Sequence, residues 1–153
     1  MTELSNPFST GSGGATFEGR VQSSFFVTML CNGFVPGVPD GDITKIKLQG
    51  RIEGYETDDC VLYIQSGNDF ERKFLCQIKH SLSFTKSDET LKEVLSSAWS
   101  DFTNASVFDP SKDILSLITG PLSKIDTEHV RPILSWARYV ETAQDFINRV
   151  GSS

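Results

Sequence analysis

Between residues 43 and 80 the chain carries three strand-like runs in close succession: ITKIKLQGRI (43–52), CVLYIQS (60–66) and RKFLCQIKH (72–80). Each is rich in β-branched, aromatic and other apolar residues. Their connectors, EGYETDD and GNDFE, are short and full of turn formers, so the runs pair as hairpins in an antiparallel meander. Such a sheet cannot stand alone in water. Its apolar faces need covering layers from the rest of the chain.

Those layers are visible on both sides of the meander. A helix is predicted from about Ala15 to Cys31, with Phe17, Val21, Phe25 and Met29 on one stripe, ended by Asn32-Gly33 and followed by the turn-rich loop VPGVPDGD. A second helix follows the meander. Thr85 or Ser87 suits its cap, Asp88 and Glu89 its first turn, and Leu91, Val94, Leu95, Ala98, Trp99 and Phe102 recur at helical spacing. DILSLITGPL (113–122) reads as a further strand stopped by Gly120-Pro121. Helix resumes from about Thr127, with Val130, Ile133, Leu134 and Ala137, then Ala143, Phe146, Ile147 and Val150, on its apolar side. The order α-β-β-β-α-β-α predicts an α/β fold in which helices flank a mixed central sheet. Residues 1–13, polar and rich in Gly and Ser, are expected to be a flexible arm, and 14–153 a single domain.

Against that frame several polar residues are out of place. In FLCQIKHS (74–81), Phe74, Cys76 and Ile78 alternate onto one face and Leu75, Gln77 and Lys79 onto the other. A glutamine and a lysine near the end of so apolar a strand are costly to bury without partners. The preceding strand opens with Asp58-Asp59. A hairpin symmetric about Asp69 sets Asp59 opposite Lys79 and Val61 opposite Gln77, so Asp59, Gln77 and Lys79 share one face; a slip of one residue exchanges Asp59 for Asp58. Glu18 falls inside the apolar arc of the first helix, where a carboxylate needs a partner. An aspartate with one or two further oxygen donors can hold a hard cation such as Mg²⁺. A lysine beside it can position or deprotonate a water, or stabilise charge developing on a phosphate. These are the parts of a metal-dependent phosphodiester hydrolase.

A helix glutamate, a strand-start aspartate and Gln-x-Lys on the next strand together resemble the PD-(D/E)xK nuclease superfamily, in its restriction-endonuclease-like, Mrr-like branch where Gln replaces the acidic residue. The stretch NPFSTGSGGATFEGRVQSSFFVTML, with QIKHS, AWSDF and LITGPLS, is similar to the N-terminal nuclease domains of bacterial anti-phage proteins. The resemblance implies a restriction-endonuclease-like core and a Mg²⁺-dependent DNA endonuclease, with Mn²⁺ as a substitute ion. It implies Glu18 as the supporting helix acid and Asp59 as principal metal ligand, with Asp58 in reserve. It also implies Gln77 as the variant ligand and Lys79 as the catalytic lysine. Double-stranded DNA is then the substrate, with an NTPase or sensor region, a partner protein or a homo-oligomer completing the system. Thr57 stands where the family carries proline.

The formal charge of −6 is the wrong sign for simple nucleic-acid binding. A local basic patch, a metal ion or a neighbouring subunit must supply the attraction. Lys45, Lys47 and Arg51 alternate onto one face and are candidates to meet phosphates; Arg72 and Lys73 add to the basic supply. Cys31, Cys60 and Cys76 lack metal-ligand spacing, and two of them sit in apolar strands as core hydrophobes, which favours a reducing, cytoplasmic setting. No apolar run reaches the length of a membrane span, and no secretory signal opens the chain. His80, on the Phe74/Ile78 face, is expected to pack, and Trp99 and Trp136 to serve core or interface. A rival reading of another class treats the domain as a catalytically degenerate nuclease-like fold used for interaction or oligomerisation.

Overall fold

The computed structural model describes residues 12–38, 40–67 and 70–151. The meander forms as expected. Strands β1 (Asp42–Leu48), β2 (Cys60–Ser66) and β3 (Phe70–Lys79) pair antiparallel in sequence order. Strand β4 (Ile114–Thr119) joins the free side of β3 in parallel, a pairing that requires a crossover, supplied by the intervening helix. Helix α1 (Ser12–Leu30) precedes the sheet, α2 (Glu89–Thr103) lies between β3 and β4, and α3 (Lys124–Tyr139) and α4 (Ala143–Gly151) close the described chain. The fold is α/β with a four-stranded mixed sheet.

Alternation along the strands sorts side chains into two cores. Cys60, Leu62, Ile64, Phe74, Cys76 and Ile78 are buried on one face, beneath Phe25 of α1 with Phe17, Val21 and Met29 around it. On the other face Val61 and Leu75 are buried with Tyr55, Val107 and Phe108. Cys60 and Cys76 stand opposite each other across β2 and β3, both as free thiols. Burial, and then the negative charge of Asp59, pushes the Cys60 thiol up to about 12, so it behaves as a small hydrophobe. His80 packs edge-on against Phe17, their ring centroids 5.4 Å apart.

The sequence pattern is overridden at several places. The expected strand 43–52 ends at Leu48, because Gln49 adopts a left-handed backbone (φ 55°) and Gly50–Glu53 coil into a 3-10 turn. A bulge at Thr44 separates Ile43, which pairs with Ile64 in the α1-side core, from Lys45, which pairs with Tyr63 on the other face. Strict alternation would have placed Ile43 and Lys45 together. Residues 1–11 of the expected arm lie outside the described residues, while Ser12 and Gly13 already belong to α1. The cap of α2 is Asp88, not Thr85 or Ser87: its carboxylate accepts from the Leu91 amide, and a second oxygen accepts from the Ser83 amide. The single closing helix is two, separated at Val140 by an extended residue and restarted at Thr142, whose hydroxyl accepts from the Asp145 amide.

The apolar stripe of α2 is only half covered. Val94 is buried, but Leu95 and Trp99 are 60% and 66% exposed, Trp99 stacking on Phe102. No residue of α3 or α4 is buried. Beyond β4, Gly120 lies so close to the His80 carbonyl that a β-carbon would stand 2.3 Å from that oxygen. Only glycine permits β4 to leave the sheet directly alongside the end of β3.

Candidate functional site

Asp59 stands one residue before β2, where the chain enters the sheet. The register Cys60↔Cys76 centres the hairpin on position 68, not on Asp69, and both positions lie outside the described residues. Asp59 is therefore level with Gln77 and not with Lys79, and Val61 pairs with Leu75. The shift moves the pairing by two positions in sum and so preserves the shared face. Gln77 and Lys79 still project to the Asp59 side.

One carboxylate oxygen of Asp59, Oδ2, accepts three hydrogen bonds: from Gln77 Nε2 at 2.8 Å, the Ile78 amide at 2.6 Å and Lys79 Nζ at 3.5 Å. Among the described residues, Oδ1 carries none of these bonds. Gln77 is buried, and its carbonyl Oε1 has no hydrogen-bond partner among the described residues. The anomaly in FLCQIKHS is thus half resolved. The Gln77 amide nitrogen and the Lys79 ammonium find a carboxylate, while one buried acceptor stays unsatisfied.

These three side chains line an open cavity of about 500 Å³, between the end of the sheet and α2, together with Asp58, Arg51, Glu56, Glu93 and the α2 residues Val94, Ser96 and Ser97. Asp58 turns toward Arg51, with Oδ2 at 3.5 Å from Nε, and makes no hydrogen bond or ion pair with Gln77 or Lys79 among the described residues. Of the two aspartates left open by the sequence, geometry joins Asp59 to the Gln-x-Lys pair.

Glu18 does not enter the cavity. The reason is the layer it belongs to: α1 covers the Cys60/Cys76/Ile78 face, whereas Gln77 and Lys79 alternate onto the α2 side. Its Oε1 accepts from Gln22 Nε2 at 2.8 Å, and the same amide donates to the Asp59 main-chain carbonyl at 3.0 Å. Glu18 therefore reaches Asp59 through one intermediary, as a support of its backbone. The expected convergence of four side chains is met by three.

Asp101 carries no role in the sequence reading, yet it shapes the site. It is 1% exposed and accepts from the Glu56 and Thr57 amides at 2.9 and 2.7 Å, fixing the turn that delivers Asp58 and Asp59. The signal was present: Asp101 lies seven residues after Val94 and three after Ala98, inside the apolar stripe of α2, the same misplacement that singled out Glu18. Asp113, also buried, likewise accepts from the Lys73 and Asp109 amides and pairs with Lys73 Nζ at 3.2 Å.

For a metal ion, the donor set is short but of suitable chemistry. Among the described residues no three His, Cys, Asp or Glu side chains are grouped to hold one. Asp59 Oδ1 and the unsatisfied Gln77 Oε1 are both hard oxygen donors in or beside an open cavity. Mg²⁺ keeps several waters and commonly takes only one or two protein carboxylates, so the residues fit such an ion. Among the described residues no helix is long and apolar enough to cross a membrane. Comparison with protein-family models, curated proteins and solved structures finds no match.

Proposed function

We propose that the cavity is the catalytic site of a divalent-metal-dependent DNA endonuclease with a restriction-endonuclease-like core, serving as the effector domain of an anti-phage system. The observation that carries this reading is the meeting of Asp59, Gln77 and Lys79 about one carboxylate oxygen at the mouth of an open cavity. A purely structural ion pair would not need a buried amide with an orphaned oxygen beside it.

In this reading Asp59 and Gln77 would hold Mg²⁺ or Mn²⁺, with Asp58 available on the same wall. When bound, the ion supplies Lewis-acid activation of water and offsets phosphate charge. Lys79 donates to the attacking water or to the phosphate oxygen on which charge develops. Gln77 must turn its carboxamide to present Oε1, which releases the Nε2 bond to Asp59 and frees that carboxylate. Glu18, through Gln22, keeps the Asp59 backbone in place. The net charge of −6 weakens unaided DNA binding, so the chain alone cuts slowly, and assembly, a sensor region or a partner protein raises the rate.

The test is supercoiled plasmid incubated with the protein and Mg²⁺ or Mn²⁺, beside an RNA of similar length. Metal-dependent cleavage of DNA that vanishes in Asp59→Ala supports the reading. Equal behaviour of wild type and Asp59→Ala contradicts it.

A second reading is favoured by a specific observation. Leu95 and Trp99 on α2, Ile125 and Leu134 on α3 and Ile147 on α4 are all exposed. Apolar surface on three helices is what an interaction or oligomerisation module displays. Self-association together with absent metal binding would support that module over the nuclease.

A further inference from the structure

The cavity wall itself is acidic, with Glu56, Asp58, Asp59 and Glu93 against Arg51 and Lys79, but three lysines stand on the same face of the sheet. The bulge at Thr44 turns Lys45 and Lys47 onto the α2 side of the sheet, opposite Tyr63 and Val61. Lys45 Nζ lies 4.7 Å and Lys47 Nζ 5.9 Å from the centroid of the same Tyr63 ring. The Tyr63 hydroxyl meets that of Tyr55 at 3.2 Å, and Lys73 Nζ stands 5.7 Å from the Tyr55 ring. Three lysines are thus gathered around two tyrosines, and the row continues along the chain to Arg51 on the cavity wall.

Like charges placed this close repel one another. Partial burial lowers the pKa of Lys47, and the neighbouring Lys45 lowers it further. Counter-charges answer only part of the cluster. Lys47 pairs with Glu53, Lys73 with Asp113, and Arg51 with Glu56 and Asp58. Among the described residues no carboxylate pairs with Lys45, which is exposed. The tyrosine rings and these carboxylates hold most of the cluster in place, but Lys45 has only the Tyr63 ring, and an anion lying across it and Lys47 would relieve their mutual repulsion.

We infer that Lys45, Lys47 and Arg51, floored by Tyr63, form a track for the phosphodiester backbone of duplex DNA that leads into the Asp59–Lys79 cavity. This rests on the nuclease reading and names how the substrate is held. Lys45 and Lys47, two strand residues apart, are separated by about 6.8 Å along β1. The track contacts phosphates and not base edges, so it carries affinity without sequence preference. It answers part of the charge problem: Lys45, which no carboxylate pairs with among the described residues, offers a local cation in a chain whose overall charge opposes DNA.

The test is fluorescence anisotropy of a short labelled DNA duplex in EDTA, where no cleavage occurs, across a range of salt concentrations. The proteins are wild type, Lys45→Ala, Lys45→Glu and Lys86→Ala, the last an exposed lysine away from the cavity. Lys45→Ala is expected to weaken binding about three- to tenfold and to reduce the salt slope by about 0.9, the share of one phosphate contact. Lys45→Glu is expected to weaken it further, and Lys86→Ala to match wild type. Lys45 variants that bind like wild type overturn the track, as does a wild type that binds no duplex at low salt. An RNA duplex bound at least tenfold more tightly than DNA overturns the assignment to DNA. Plasmid cleavage with metal separates the two claims: cleavage with unaltered Lys45→Ala binding removes the track alone, whereas neither binding nor cleavage removes both.

Discussion

Asp59 Oδ2 takes hydrogen bonds from Gln77, Ile78 and Lys79. Two of those donors were legible in the sequence, since a Gln and a Lys in an apolar strand announce a buried polar partner. Their aspartate was legible only to within one residue. The choice between Asp58 and Asp59 turns on register, which the connector fixes and alternation does not. Glu18 was legible as a misplaced acid, but its target was not, because a helical stripe does not say which sheet face it covers. Asp101 gave the same kind of signal. Removing it leaves the Glu56 and Thr57 amides without acceptors. Asp101→Ala is therefore expected to cost about 1–3 kcal/mol of stability in denaturant titration. It should also loosen the turn carrying Asp58 and Asp59, lowering cleavage in a variant that remains folded. Asp101→Asn, which keeps one acceptor oxygen, should fall between Asp101→Ala and wild type.

Strand β2 coincides with the run read from the sequence, and β3 begins two residues earlier, because the hairpin pairing continues to Ser66 and Phe70 beyond the apolar stretch. Element ends were harder. β1 stops where Gln49 turns left-handed, and no residue type there announces it. The starts of α2 and α3 depend on the caps Asp88 and Ser123 and on a first-turn aspartate, Asp126, whose partners outside the helices are invisible in sequence. Asp88 accepts from the Leu91 and Ser83 amides. Asp126 accepts from the Ser123 hydroxyl and the Phe84 amide, tying α3 to the loop before α2. These bonds hold both carboxyls below their ordinary range, through the Leu91 amide first for Asp88 and the Ser123 hydroxyl first for Asp126. A carboxyl whose folded pKa is depressed adds stability above its unfolded value, near 4, and loses it as pH falls through the lower folded value. Thermal unfolding followed by circular dichroism should accordingly show Tm dropping below about pH 4. Asp88→Asn and Asp126→Asn should each start lower at neutral pH and show a shallower acid decline.

Taken together, the two cores account for the sheet, α1 and one side of α2, but not for the closing helices. Their apolar residues are expected on one side of the helix, and periodicity reports that amphipathicity and not what covers it. In the fold, Trp99 and Leu95 of α2 and the stripes of α3 and α4 face outward. Patches of this kind on separate helices favour self-association or docking to a partner region. Sedimentation velocity is expected to show a concentration-dependent shift to a larger species, reduced by Trp99→Glu. A wild type that stays monomeric at high concentration, with no change in Trp99→Glu, would remove the self-association expectation.

The central claim is that Lys79, held beside Asp59 and Gln77, performs chemistry and does not merely complete an ion pair. Single-turnover plasmid cleavage in Mg²⁺ or Mn²⁺ tests it most directly, with Lys79→Ala compared with wild type and Mn²⁺ affinity measured alongside by calorimetry. The account predicts a rate reduced at least about 100-fold, of the order lost with a general acid–base group, while folding and Mn²⁺ affinity stay near wild type. Equal rates in the two proteins, or no metal-dependent cleavage by wild type, would contradict it.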